Sequence, residues 1–358
     1  MTTTADTAPA QADLEAFLGR FVVDLGAALA GANIVLGDRL GLYAALAAAQ
    51  PATPAEVASA TGTDERHVRE WLCGQAAGGY VEYDAATGTF SMTAAQVACL
   101  ADPKSPTYVP GAFQIAASTY QDGERVRESF RTGVGVGWHE HHVDLFEGTE
   151  RFFRPGYVAN LNESWLPALD GVEGKLLSGA TVADVGCGHG ASTIIMAQAF
   201  PRSTFVGFDY HEPSIQRARE AAAAAGVEDR VRFEVAGAAD FPGTNYDLVA
   251  MFDCLHDMGD PVGAARHVRA ALDADGTWLI VEPQAGDRIE DNLNPVGRVF
   301  FSASTFICVP ASRSQDVGLC LGAQAGPERI GDVVREGGFT RFRTATETPF
   351  NLVLEARP

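Results

Sequence analysis

His256 is the side chain best suited to move a proton near neutral pH, because free imidazole titrates at about 6.5. It stands in DCLHDM, directly after the apolar run YDLVAMF, so one strand delivers Asp253, Cys254, Leu255, His256, Asp257 and Met258 to a single rim. A second apolar run, TWLIVEP, closes on Glu282. On a neighbouring strand, that carboxylate would bond one imidazole nitrogen and fix the tautomer, leaving the other nitrogen for a hydroxyl proton. The alternative is structural: His256 caps the following helix or bonds a backbone carbonyl.

A second chemical signal is TVADVGCGHGAS, Thr181 to Ser192, which reads as a buried strand, a glycine turn and a helix. Gly186, Gly188 and Gly190 let the backbone bend tightly and approach a ligand with no Cβ between them. The same stretch fits the dinucleotide pattern through Gly186, Gly188 and Ala191, which cradles a pyrophosphate. Asp184, at the strand end, is a poor neighbour for phosphate and a good one for a cation. S-adenosyl-L-methionine, with an ammonium and a sulfonium and no phosphate, answers that description. Methyl transfer from a sulfonium is a displacement in which an acceptor hydroxyl loses its proton, the task open to His256. Asp209, 23 residues after Gly186, ends the next strand, where an acid can hold ribose hydroxyls, and Tyr210 follows it. Asp240 and Phe241 are expected to bond and cover an adenine ring, with Asp253 on the same cofactor-facing rim.

These residues need a scaffold, and from Thr181 onward the chain alternates strand and helix, as a doubly wound α/β sheet does. Two closing strands are expected near FRTATET and FNLVLEA. The first half reads differently. The first ten or so residues are small and polar and expected to be disordered. Helical spacing then runs from Leu14 to about Ala49, followed by a capped helix at Thr53, a second after Thr63, and two short strands, YVEY and TFSMT. Helix, turn, helix and hairpin make a winged helix. Three regions follow: 12–110, the winged helix, expected to form a homodimer; 111–170, a helical linker and pocket roof; and 171–358, the cofactor-binding domain.

Charge argues against a nucleic-acid reader. The formal net charge is −20, and residues 1–110 carry five basic against twelve acidic side chains. The N-terminal stretch has neither a basic start nor an apolar core, and no run of about 18 apolar residues stands out, so neither a leader nor a membrane span is expected, and the setting is cytoplasmic. The six cysteines show no C-x-x-C pair, and His139, His141 and His142 match no common zinc spacing, so no metal is expected. Trp138, His139, Phe153 and Tyr157, in the glycine- and aromatic-rich middle, are candidate walls of a substrate pocket.

Residues 181–358 resemble the class I S-adenosylmethionine-dependent methyltransferases, with DVGCGHG matching their first motif. CLHDMGD, IVEP and PERIGDVVREGGF resemble, in order and spacing, the small-molecule O-methyltransferases of secondary metabolism in plants and bacteria. The resemblance implies a Rossmann-like seven-stranded sheet, a winged-helix dimerisation domain in front, and a general base flanked by two glutamates. Carried over, these are His256, Glu282 and Glu328. Gly237 stands where many relatives have an adenine-binding aspartate, and Met258 where a tryptophan is usual. The insertion from Gln284 to Gly326, with Asn294, Phe300, Phe301 and Phe306, is expected to cover a small-molecule acceptor. Three alternatives stay open: nitrogen or carbon methylation by proximity, a cofactor-responsive DNA-binding regulator, and a nicotinamide-dependent oxidoreductase.

Overall fold

A 29-residue helix, α1 (Gln11–Arg39), opens the described part of the chain. The computed structural model describes residues 10–358; the polar N-terminal segment, expected to be disordered and to hold no leader, lies outside the described residues. The helical spacing of leucines and phenylalanines forms α1 as expected, but most of its apolar side chains, Phe17, Phe21, Val22 and Leu29 among them, are exposed. By length and composition it is the one helix among the described residues able to cross a bilayer, which corrects the expectation that no such stretch exists. Glycines and single charges break the apolar run in sequence without lowering its average.

After α2 (Leu42–Ala49), the caps act as their residue types demand. The Thr53 side chain accepts the Glu56 N–H while Glu56 accepts the Thr53 N–H at 2.7 Å, and Pro54 takes the first position of α3 (Pro54–Thr61). Asp64 caps α4 (Glu65–Ala77) by accepting the His67 N–H at 3.1 Å. The antiparallel pair β1 (Glu82–Asp84) and β2 (Thr89–Ser91) forms the wing. Tyr43, Leu46, Val57, Trp71, Leu72 and Phe90 share one core. This is the winged helix, and it lies within a compact unit that ends at Ala117.

The second unit, Ser118–Pro358, includes most of the stretch read as a linker. Its seven strands are β3 (Thr181–Val185), β4 (Thr204–Asp209), β5 (Val231–Val235), β6 (Tyr246–Phe252), β7 (Leu272–Pro283), β8 (Arg341–Glu347) and β9 (Asn351–Arg357). They lie in the order β5-β4-β3-β6-β7-β9-β8. β9 runs antiparallel between β7 and β8, so the two expected closing strands are present. The central strands are apolar throughout because both faces are covered. Along β6, Leu248, Ala250 and Phe252 enter one core while Val249 and Met251 enter the other. Strand order reverses between β3 and β6, where a doubly wound sheet opens a crevice at its carboxyl ends.

Candidate functional site

A cavity of about 420 Å³ lies in that crevice. One wall is the turn after β3, with Gly186 and Gly188, continued by Asp209 and Tyr210 after β4 and by Ala236, Gly237 and Ala238 after β5. The facing wall is aromatic: Trp138, Phe146, Phe153 and Tyr157. Asp253, Cys254, Asp257 and Met258, from the end of β6, lie between them.

The turn requires its glycines for two different reasons. Gly186 and Gly190 adopt φ of 77° and 80°, and a Cβ there would sit 2.7 Å from Cys254 Sγ and 2.5 Å from Phe233 Cζ. Gly188, at φ 51°, has open space where its Cβ would be. Its N–H donates to Asp209 Oδ2 at 3.0 Å, and the His211 N–H donates to Oδ1 at 2.8 Å. The carboxylate of Asp209 is therefore held at the lip by backbone, while burial pushes its pKa up. Asp184 lies one layer deeper. Its Oδ2 accepts the Ser192 and Thr193 hydroxyls at 2.6 Å each, its Oδ1 is buried without a partner, and burial raises its pKa to about 6. It supports the turn and helix start from below and does not line the cavity.

Asp253 does line it, from a left-handed backbone (φ 52°) that, glycine aside, short polar residues tolerate best. The Tyr157 hydroxyl donates to its Oδ2 at 3.2 Å, and the Asn351 amide lies 3.4 Å from Oδ1. Burial, with Glu282 nearby, pushes its pKa up to about 8. Asp257 accepts the Trp138 indole N–H at 2.6 Å, and burial raises it to about 6. The indole is thereby pinned to the rim.

The expected imidazole–carboxylate pair forms. Glu282 Oε2 is 2.5 Å from His256 Nδ1, and Oε1 accepts the Leu255 N–H at 2.9 Å, so one carboxylate holds both the ring and its backbone. A carboxylate can only accept, which assigns the proton to Nδ1 and turns Nε2 away from Glu282. Nε2 lies 3.3 Å from Cys308 Sγ. Burial opposes charging of the ring, yet Glu282, with Cys308, holds its pKa well above the ordinary value. Both side chains are buried, and His256 does not line the open cavity.

Several expected residues are not brought to this cavity. Glu328 is exposed in the first turn of the helix Pro327–Glu336, where its N–H donates to Asp287 Oδ1, and both nitrogens of His256 have other partners. Phe241 stacks on Phe208 in the core and Asp240 accepts the Gly237 N–H at 2.9 Å, so backbone at Ala236–Ala238 lines the place assigned to them. Asn294 caps the helix Pro295–Phe306 through the Gly297 N–H, and Phe301 is solvent-exposed. What the insertion contributes instead is Ser314 and Gln315 on the wall and Cys308 against His256. Gln315 ties this segment to the rim, accepting the Gly259 N–H at 2.9 Å and donating to the Asp257 carbonyl at 3.1 Å. Trp138, His139, Phe153 and Tyr157 line the cavity, as do Phe146 and Glu150. The last two were legible only as members of an aromatic, charged stretch.

Residues 176–314 match the model of a methyltransferase domain, and residues 27–102 that of an Rv2258c-like winged HTH domain. The chain carries a methyltransferase domain behind a winged helix. The match to the methyltransferase domain contains the glycine turn, Asp209, Asp253, His256 and Glu282, while the aromatic wall precedes it in sequence. Among curated relatives, 27-O-demethylrifamycin SV methyltransferase of Amycolatopsis mediterranei is 33% identical over 137 residues, covering 36% of this chain and 50% of the relative. O-demethylpuromycin-O-methyltransferase of Streptomyces alboniger is 33% identical over 191 residues, covering 50% of this chain and 45% of the relative. The chain spans about half the length of these relatives. The solved structure of mitomycin 7-O-methyltransferase shares the fold along nearly the whole chain, with a TM-score of 0.71 at 21% identity, covering 98% of this chain and 100% of that one.

Proposed function

We propose that the protein transfers a methyl group from S-adenosyl-L-methionine to a hydroxyl of a small molecule, with His256 as the proton acceptor. The observation that carries this is the cavity itself: an open glycine turn at Gly188 beside a wall with carboxylates and no lysine or arginine. A pyrophosphate would meet no lysine or arginine there, whereas a sulfonium and an ammonium suit its carboxylates. Gly186, Gly188, Asp209, Tyr210 and the backbone of Ala236–Ala238 would hold the cofactor, Asp209 through its ribose hydroxyls. Bound there, the sulfonium supplies an electrophilic methyl group. The aromatic wall orients an acceptor and excludes water, Glu282 keeps the imidazole in one tautomer, and Nε2 takes the hydroxyl proton. The O-methyltransferase relatives support oxygen as the acceptor atom.

Calorimetric titration of the protein with S-adenosylmethionine and, separately, with NAD tests this assignment. Micromolar binding of the first and none of the second is expected; the reverse would move the protein to the oxidoreductases.

For the winged helix we propose self-association rather than DNA binding. Arg66 and Arg69 of α4 are paired along their own helix with Glu70 and Glu65, and the exposed apolar side chains of α1 suit a second copy of the chain. Light scattering should give a dimer, with Phe17→Glu and Phe21→Glu together yielding a monomer. Retention of duplex DNA at physiological salt, or partition of the protein into membranes, would overturn this.

A further inference from the structure

The cavity wall is one-sided in charge beyond anything methyl transfer requires. Four acidic side chains line it, Glu150, Asp209, Asp253 and Asp257, with three histidines, His139, His189 and His211, and no lysine or arginine. Asp209 is committed to the turn through two backbone N–H groups. The other three lie among the aromatic residues and are bonded by groups without a fixed positive charge. Tyr157 donates to Asp253, the Trp138 indole to Asp257 at 2.6 Å, and the His189 ring lies 2.8 Å from Glu150. Although burial opposes it, His189, aided by the charges of Arg217 and Arg154, holds the Glu150 carboxyl below its ordinary pKa, so this side chain is charged. The rest of that wall, with Phe146, Phe153 and Met258, offers mainly faces and edges, its other polar side chains being His139, Thr149, Ser314 and Gln315.

The two halves of the cavity therefore select differently. Near the turn, backbone N–H groups and one carboxylate suit a zwitterionic cofactor. On the aromatic side, a carboxylate, phosphate or sulfate would leave water to face the carboxylates of Glu150 and Asp257 with no lysine or arginine on the wall to pair with, and the net charge of −20 adds to the repulsion over longer range. Discrimination by a repulsive element is an effective way for a site to reject close analogues.

We propose that the methyl acceptor is an aromatic hydroxyl compound bearing no anionic group, neutral or amine-bearing, with Glu150 and Asp257 excluding anionic analogues. This rests on the methyl-transfer reading of the same cavity, and the experiment separates the two. Calorimetry first titrates S-adenosylhomocysteine into the protein; absence of binding overturns the cofactor assignment alone, and the comparison then proceeds on the unloaded protein. Next, 4-hydroxybenzamide, its near-isosteric carboxylate 4-hydroxybenzoate, and tyramine are titrated separately. The amide and the amine should bind at least tenfold more tightly than the carboxylate, a difference of about 1.4 kcal/mol. Glu150→Gln should narrow that ratio. A ratio below tenfold, binding by none of the three at millimolar concentration, or a ratio unaltered by Glu150→Gln would each overturn the proposal, the last by assigning selection to shape.

Discussion

Cys308 Sγ lies 3.3 Å from His256 Nε2, the ring nitrogen that Glu282 leaves available. A thiol is a weak hydrogen-bond donor, so an incoming hydroxyl is a stronger partner for that nitrogen. For Nε2 to receive a proton from the acceptor, Cys308 has to give way. Cys308→Ala removes the competitor: the KM for a phenol acceptor should fall several-fold while S-adenosylhomocysteine affinity is unchanged. A several-fold rise in KM would instead make Cys308 a supporting wall.

His256→Ala should cost about 10²- to 10⁴-fold in turnover, the usual range for a positioned proton acceptor. Cofactor affinity, read by calorimetry, should change less than about threefold. The pH dependence carries a sign. Only the neutral ring accepts a proton, and Glu282 raises the folded-state pKa, so the rate should climb with pH to a midpoint above about 6.5. Glu282→Gln should bring the midpoint down. The same shift contributes stability that is fully present below the unfolded-state pKa and lost as pH rises through the folded one. A midpoint unmoved by Glu282→Gln would remove His256 from the profile.

Asp253, pushed up to about 8 by burial and by Glu282, is mostly protonated at neutral pH. A cation bound in the cavity favours its ionised form, so cofactor binding at pH 7 should release protons and tighten as pH rises from 6 to 8. Calorimetry in buffers of different ionisation enthalpy measures the release directly. Asp253→Asn should abolish most of it, and an undiminished release would place the proton elsewhere.

The glycines of the turn should separate stability from binding. Gly190→Ala combines a left-handed backbone with a Cβ 2.5 Å from Phe233, and should lower stability by roughly 2–4 kcal/mol, seen as a clear fall in Tm. Gly188→Ala meets open space and should cost only about 1–2 kcal/mol for its φ. Its main effect should be on S-adenosylhomocysteine affinity, because the added methyl enters the ligand's approach. Equal stability losses with no effect on affinity would contradict this division.

Local patterns made much of the fold legible. Thr53 with Glu56, and Asp64, announce their helices because a cap acts within one turn. The strand ends at Asp184, Asp209, Asp253 and Glu282 could be read because an apolar run covered on both faces must end where polar residues begin. The pairing of Glu282 with His256 follows from adjacent parallel strands, β6 and β7, in register from Leu248 to Phe252. Phe241 and Asn294 misled for a common reason. Residue type suggests a ligand contact, but a phenylalanine next to Phe208 is stabilised more by the core, and an asparagine before Pro295 by the helix it caps.

By itself, then, the sequence determined the doubly wound sheet, the winged helix in front of it, the glycine turn and the imidazole–carboxylate pair, all set by periodicity, caps and strand ends within short stretches of chain. Only the tertiary structure decided which side chains face the cavity. Cys308 and Gln315 reach the rim, and Glu150 and Asp257 face the aromatic wall, through contacts between segments far apart in the chain, including the Trp138–Asp257 bond across 119 residues. Such contacts depend on how helices close over the sheet, and no local periodicity encodes that.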